Sequence, residues 1–397
     1  RQMCIRDRLR VLRDHVPRLY HHGGEINMSA LRAGCRRALE VQDMAEKVLM
    51  KGNEAIAEAA IAAGCRHYYG YPITPQTEIA AYMAKRMPKI GGVFLQAESE
   101  IAAINMVYGT AAAGYRVMTS SSSPGISLKT EGLSYIAGSD LPSLVVNVQR
   151  GGPGLGSIQP AQSDYFQATK GGGHGDYHMI VLAPASVQEM ASLTVKGFDL
   201  ADQYRMTSMI LADGTMGQMM EPVSFESVEK KTYDKPWALT GTHGKREHNI
   251  ITSLSLVPKE LEKWNLDRYE RYKVIEENEV MYEEFMMEDA EICLVAFGIT
   301  ARVSQNAIRM ARAKGIRAGM LRPITLWPFP KKPLEAAADR VKAFVSVELS
   351  MGQMIEDIEL ATKCKRPVLL CSRVGGMLPS PEFVLSKIEE ANGGEKK

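Results

Sequence analysis

Four short stretches of this 397-residue chain carry side chains that can do chemistry: Tyr71-Pro72-Ile73-Thr74-Pro75, Gln96-Ala97-Glu98-Ser99-Glu100, Thr119-Ser120-Ser121-Ser122-Ser123-Pro124-Gly125 and Gln149-Arg150-Gly151-Gly152-Pro153-Gly154-Leu155-Gly156. In the first, Thr74 stands where a helix N-cap belongs and Pro75 at the first helical position; the hydroxyl can cap, face an anionic ligand, or do both. In the second, Glu98 and Glu100 open an apolar helix, where acids are ordinary partners of the helix dipole. The serine stretch is too polar for a core and reads as a loop that either offers hydroxyl and backbone hydrogen bonds to a ligand or makes a flexible turn. Arg150 ends an apolar strand, a place from which a guanidinium can clamp a carboxylate in bidentate fashion or form an interdomain salt bridge.

These stretches follow strand-like runs, and in open parallel sheets the loops beyond the strands' carboxyl ends hold the ligands. Apolar runs at 67–70, 93–97, 116–120, 144–149, 179–182 and 208–211 alternate with helical patterns such as 99–113, and Asn53 is placed to cap a helix that Gly64 stops. Short, continuously apolar strands between helices predict a mostly parallel α/β sheet covered on both faces. The alternation fails around 222–288, where 259–288 is dense in Glu, Lys and Tyr and reads as a solvated helical connector, a partner-facing arm or a plain linker. It resumes at 292–297, 317–321, 343–347 and 368–371, which predicts a second, smaller α/β unit. The expected division is a leader at 1–43, a first domain at 44–222, a connector at 223–288 and a second domain at 289–397.

Composition excludes several classes. With 45% hydrophobic and 24% charged residues the chain buries a sizeable core, and a net charge of +2 gives no basic field for nucleic acid or anionic membrane. No apolar run approaches a bilayer span. Six cysteines without a C-x-x-C pair fit a reduced, cytoplasmic setting and speak against an iron–sulfur cluster or structural zinc in this chain. Residues 1–43 hold nine arginines and no lysine, with five acids that a transit peptide would avoid; they are expected to be a non-native leader, with Met44 as the start. Gly151–Gly156 lacks the G-x-G-x-x-G spacing, and no G-x-x-x-x-G-K-[ST] occurs.

Together, GNEAIAEAAIAAG (52–64), YPITPQTE (71–78), AESEIAAINMVYGTAAAG (97–114), MTSSSSPGISLKTEG (118–132), VQRGGPGLG (148–156) and FQATKGGGHGDY (166–177) resemble the 2-oxoacid:ferredoxin oxidoreductases, and within them most closely the branched-chain, 2-oxoisovalerate (3-methyl-2-oxobutanoate) type. The likeness runs from Met44 to the C-terminus. It implies a thiamine diphosphate pyrimidine-binding domain followed by a transketolase C-terminal-like domain. It also implies oxidative decarboxylation of a 2-oxoacid to an acyl-CoA and CO2, with electrons passed to ferredoxin.

By that resemblance Glu100 matches the glutamate that hydrogen-bonds the aminopyrimidine, Thr74 and Arg150 match residues that contact the 2-oxoacid, and Ile73, Thr74, Ser121 and Ser122 lie at the cofactor. No metal ligand is expected here. The family's Mg²⁺ and diphosphate are held by Gly-Asp-Gly followed by Asn-Asn, for which Ala212-Asp213-Gly214 is only an echo with no asparagine before Asn249. The resemblance therefore implies partners: a subunit with the diphosphate-binding half and Mg²⁺, a gamma subunit, and a ferredoxin-like subunit with 4Fe–4S clusters, besides coenzyme A and ferredoxin. Lys129 keeps a 2-oxoglutarate pocket open as an alternative; pyruvate, indolepyruvate and a non-catalytic assembly role are the others.

Overall fold

Short apolar runs become strands here because both faces of each sheet are covered by helices. The computed structural model describes residues 47–225 and 231–393; the expected leader at 1–43 lies outside them. In chain order the strands are β1 Val48–Lys51, β2 His67–Gly70, β3 Val93–Gln96, β4 Val117–Ser121, β5 Ser143–Gln149, β6 Ile180–Leu182, β7 Thr207–Asp213, β8 Met220–Val223, β9 Tyr282–Phe285, β10 Ile292–Ala296, β11 Ala318–Pro323, β12 Thr325–Trp327, β13 Ala343–Glu348 and β14 Val368–Ser372. The helices are α1 Gly52–Ala62, α2 Thr77–Arg86, α3 Glu100–Ala112, α4 Ser123–Gly138, α5 Tyr165–Thr169, α6 Val187–Tyr204, α7 Gly214–Gln218, α8 Pro258–Asn278, α9 Gly298–Ala313, α10 Lys331–Ala338, α11 Met354–Ala361 and α12 Pro381–Ala391.

The first sheet has seven strands in the order β12-β6-β7-β5-β4-β2-β3, parallel except for β12, which pairs antiparallel with β6. Its centre, β4, β5 and β7, is buried at every residue, and each fully buried Val, Leu or Ile there stabilises by roughly 1.5–3 kcal/mol. The second sheet runs β14-β13-β10-β11-β9, with β9 antiparallel at its edge. Thus the stretch 223–288 contains a 21-residue helix, α8, that buries Arg268, Tyr272 and Ile275, and a strand of the second sheet. The chain crosses back at β12, so a strand late in sequence closes the first sheet. A separate antiparallel pair joins β1 to β8. No helix among the described residues is long and apolar enough to cross a membrane.

Three local expectations are corrected. Asn53 does not cap: α1 starts at Gly52 behind Lys51, and the fully buried Asn53 amide instead donates to the Pro75 carbonyl at 2.8 Å and to Glu78 at 2.9 Å. Thr74 is not an N-cap either, because α2 begins at Thr77 behind Gln76. The Gln76 side chain turns inward, donating to the Tyr71 carbonyl at 3.2 Å and accepting from Ser120 at 2.5 Å, so the chain turns once more before it becomes helical. Finally, the serine stretch is not a loop. Thr119–Ser121 lie in β4, Ser122 is the N-cap of α4, and Ser123 begins that helix. Small hydroxyl side chains suit a buried strand end packed closely by neighbouring polar groups.

Candidate active site at the carboxyl edge of the first sheet

Parallel strands β2, β3, β4 and β5 deliver their carboxyl ends side by side, which brings the four chemical stretches to one edge. Ser99, the N-cap of α3, accepts from the Ala102 N–H at 3.2 Å and so sets Glu100 as the first helical residue. Glu100 is 5% exposed whereas Glu98 is open to solvent. The Glu100 carboxylate makes no hydrogen bond within the described residues; facing it are Ser121 and Gly125. A Cβ at Gly125 would overlap the Ser121 hydroxyl and stand 2.7 Å from Glu100 Oε1, so glycine is what lets α4 approach the carboxylate.

Around this carboxylate lie buried hydroxyls without partners. The oxygens of Thr119, Ser121 and Ser122 are buried and unbonded, and Ser122 caps α4 by position while its side chain makes no cap bond. Buried polar atoms are normally satisfied, so a row of unsatisfied ones beside an unbonded carboxylate is a surface made for a polar ligand. Ser120, by contrast, is fully engaged: it pairs with the Tyr68 phenol at 2.6 Å as well as with Gln76. Burial pushes the Tyr68 hydroxyl pKa up, which keeps it a neutral hydrogen-bonding group.

Thr74 and Arg150 form a second group. Arg150 is 8% exposed, and Nη1 donates to the Thr74 carbonyl at 3.0 Å while Nη2 donates to the Leu155 carbonyl at 3.2 Å. Its Nε is buried and unpartnered, and Arg150 forms no ion pair among the described residues. An interdomain salt bridge is therefore not what holds it; backbone carbonyls of two loops position a cation that lacks an anion. The Thr74 side chain is exposed at this edge, and Ile73 is half-buried beside it. Ser123 ties the two groups together: its hydroxyl accepts from the Arg150 N–H at 3.0 Å and donates to Asp164 at 2.6 Å. Asp164 also accepts from Asn147 at 2.9 Å, and burial raises its carboxyl above the usual range.

Beside this edge opens a cleft of 720 Å³ lined by Ser123, Ser127, Gly151–Leu155 and Asp164 on one wall and by Leu349–Met351, Gln353 and Val374 on the other. Glu100, Thr74 and Arg150 do not line it. Two glutamines stitch its walls. Gln162 donates to the Phe297 carbonyl at 2.8 Å and accepts from the Leu349 N–H at 3.1 Å; Gln353 donates to the Ser163 carbonyl at 2.8 Å and accepts from the Phe166 N–H at 2.8 Å. The loop before α11 is built on Glu348, whose buried carboxylate accepts from Ser346, Ser350 and the N–H groups of Gln353, Met354 and Ile355. Asp213 of the Ala212-Asp213-Gly214 echo is likewise committed to backbone, accepting from Thr215, Met216 and Ile299 N–H groups.

Sequence reasoning missed Asn53, Tyr68, Gln76, Asp164, Gln162 and Gln353, which hold the site without touching what it would bind. Only a polar residue inside an otherwise apolar or loop pattern hinted at them.

Residues 58–284 match the family described as pyruvate flavodoxin/ferredoxin oxidoreductase, thiamine diP-binding, and residues 290–384 match pyruvate:ferredoxin oxidoreductase core domain II. The chain is 53% identical over 346 residues to the ketoisovalerate oxidoreductase subunit VorB of Methanothermobacter marburgensis, covering 87% of this chain and 98% of that protein. It is 36% identical to the 2-oxoglutarate synthase subunit KorA of Methanothermobacter thermautotrophicus, covering 88% and 100%. Among solved structures it is similar to the 2-oxoglutarate:ferredoxin oxidoreductase from Magnetococcus marinus with 2-oxoglutarate, coenzyme A and succinyl-CoA bound. There the TM-score is 0.79 at 31% identity, over 87% of this chain and 65% of that one. A split gene transketolase matches with a TM-score of 0.57 at 14% identity, a likeness of fold alone.

Proposed function

This chain belongs to the thiamine diphosphate-binding pyruvate flavodoxin/ferredoxin oxidoreductase family and is a 2-oxoacid oxidoreductase subunit; we propose that it serves the oxidative decarboxylation of 2-oxoisovalerate to an acyl-CoA, contributing the pyrimidine-facing half of a shared active site. The observation that carries this reading is the buried, unbonded Glu100 carboxylate against Gly125, ringed by the unsatisfied hydroxyls of Ser121 and Ser122. Such a donor set fits a nitrogen heterocycle: a carboxyl to share a proton with a ring nitrogen, and hydroxyls for its exocyclic polar groups.

When bound, thiamine diphosphate supplies the carbon nucleophile and electron sink that 2-oxoacid decarboxylation needs. Glu100 would hold the pyrimidine and keep a proton at the ring nitrogen; Ser121 and Ser122 would complete its polar contacts. Arg150, held by two backbone carbonyls with Nε free, would receive the substrate carboxylate, with the Thr74 hydroxyl at the same edge. The cost of burying that guanidinium is offset only when an anion arrives, which favours the charged end of a 2-oxoacid over a neutral carbonyl.

The diphosphate and Mg²⁺ would be held by a partner chain, since this one has no Gly-Asp-Gly and Asn-Asn pair; clusters of a ferredoxin-like subunit and a gamma subunit would complete a cytoplasmic complex, with no nucleic acid or membrane partner. The branched-chain preference is supported by the 53% identity to a ketoisovalerate oxidoreductase subunit, against 36% to a 2-oxoglutarate synthase subunit. Lys129 does not favour 2-oxoglutarate, because its ammonium is buried against the Glu100 carbonyl. The test is coenzyme A-dependent viologen or ferredoxin reduction by the complete complex offered 2-oxoisovalerate, 2-oxoglutarate, pyruvate and indolepyruvate in parallel. Preferential turnover of 2-oxoisovalerate is expected; preference for any of the others contradicts the substrate assignment.

A further inference from the structure

Helix α4 buries a lysine for which the function above has no use. Lys129 lies four residues after Gly125, one turn along the same helical face. It is fully buried. An ammonium has three donors, yet a single hydrogen bond is made, from Nζ to the backbone carbonyl of Glu100 at 3.4 Å. Lys129 forms no ion pair among the described residues. Desolvation pushes its pKa down to about 8, against the opposing pull of the Glu100 charge. A buried cation with one long hydrogen bond costs folding stability, and an apolar side chain of the same volume would be better tolerated at this position.

No other titratable group shares its surroundings. On the strands packed against α3 and α4, Tyr68 of β2 is bonded to Ser120 at 2.6 Å, and Asp213 at the end of β7 is taken by backbone N–H groups. On the helices themselves, Tyr108 pairs with Ser139 at 2.8 Å and Glu131 accepts from Tyr135 at the surface at 2.5 Å. Glu98 is exposed. The charge that acts on Lys129 is that of Glu100 alone.

We propose that Lys129 is a positioning residue for Glu100: its ammonium grips the first turn of α3 by the Glu100 carbonyl and favours the ionised Glu100 carboxylate before the cofactor arrives. A neighbouring cation stabilises a carboxylate that otherwise has no donor. Cofactor binding then takes up the proton that Glu100 and the pyrimidine share, and affinity acquires a pH dependence that Lys129 sets. This rests on the reading of Glu100 as the pyrimidine contact.

The test is the affinity of the complete complex for thiamine diphosphate with Mg²⁺ as a function of pH, alongside thermal unfolding of the cofactor-free complex, for the wild type, Lys129→Met, Lys129→Arg and Glu100→Gln. The wild type is expected to show an inflection. Lys129→Met moves it up by about one pH unit, the scale of one nearby buried charge, and leaves the melting temperature equal or higher. Lys129→Arg keeps the wild-type inflection, and Glu100→Gln removes it. An inflection that stays put in Lys129→Met but vanishes in Glu100→Gln overturns the role of Lys129 while leaving Glu100 in place. One that persists in Glu100→Gln, or a wild-type affinity flat in pH, overturns the Glu100 reading itself. Should Lys129→Met fail to assemble, Lys129→Gln decides, since it keeps a donor for the carbonyl without the charge: a moved inflection supports the proposal and an unmoved one overturns it.

Discussion

Arg150 shows what the site asks of a single residue. Two carbonyls from different loops fix its guanidinium plane, and its Nε has no partner. Charge-assisted hydrogen bonds to such a group are worth about 1.5–3 kcal/mol. Arg150→Met is therefore expected to raise the KM for the 2-oxoacid by about 10- to 100-fold, with a smaller effect on kcat. Arg150→Lys should not restore it, because one ammonium cannot span both carbonyls and a substrate carboxylate. A KM unchanged in Arg150→Met, measured in the intact complex, would remove the carboxylate-clamp role. At this scale Glu100 and Arg150 were legible in the sequence, because each stands where an apolar strand gives way to a helix or a glycine-rich turn. Asn53, Tyr68 and Gln76 were not. Their function is to bond to groups 22 to 52 residues away, and no local spacing encodes such a partner.

Among the elements, α4 matters most to the site. Its first turn brings Gly125 against Glu100 and Ser121, and its N-cap serine leaves its hydroxyl free. In Gly125→Ala two effects oppose each other: alanine favours a helix by roughly 1 kcal/mol over glycine, while overpacking costs about 1–3 kcal/mol. The melting temperature should move little, and the damage should fall on the ligand surface, with thiamine diphosphate affinity reduced at least about tenfold, the equivalent of about 1.4 kcal/mol. Equilibrium titration of the complex checks this; unaltered affinity would mean that the Glu100–Ser121 surface is not where the cofactor sits. The central strands were readable as short apolar runs because they are buried on both faces. β1, β8 and β9 were not, since their exposed and half-buried residues outnumber the buried ones. β12, three buried residues long, joins the first sheet only by crossing back from late in the sequence. The serine stretch misled for the opposite reason: its polarity reads as loop, while its hydroxyls are satisfied by, or reserved within, a buried strand end.

Across the molecule, the two sheets meet through polar residues with no apolar signature: Gln162, Gln353 and Asp213. Desolvation pushes the Asp213 carboxyl up to about 6, only partly opposed by the N–H groups of Met216, Ile299 and Thr215. A carboxyl whose folded pKa is raised favours the native state while it is protonated. Its contribution is full below the unfolded value of about 3.8 and is lost as pH rises through about 6. Relative to Asp213→Asn, the wild type should therefore lose stability as pH is raised from 4.5 to 6.5, by up to about 1.4 kcal/mol per unit. Parallel denaturant titrations of the two proteins check it, and a difference that does not vary with pH would contradict the assignment. The central claim is that this chain supplies the carboxyl that activates thiamine diphosphate across a subunit boundary, and Glu100→Gln in the complete complex tests it most directly. Glutamine keeps the size and a hydrogen bond but not the exchangeable proton. With assembly and melting temperature unchanged, kcat for 2-oxoisovalerate should fall about 100-fold or more, the usual contribution of a positioned acid–base group; turnover at the wild-type rate would contradict the claim.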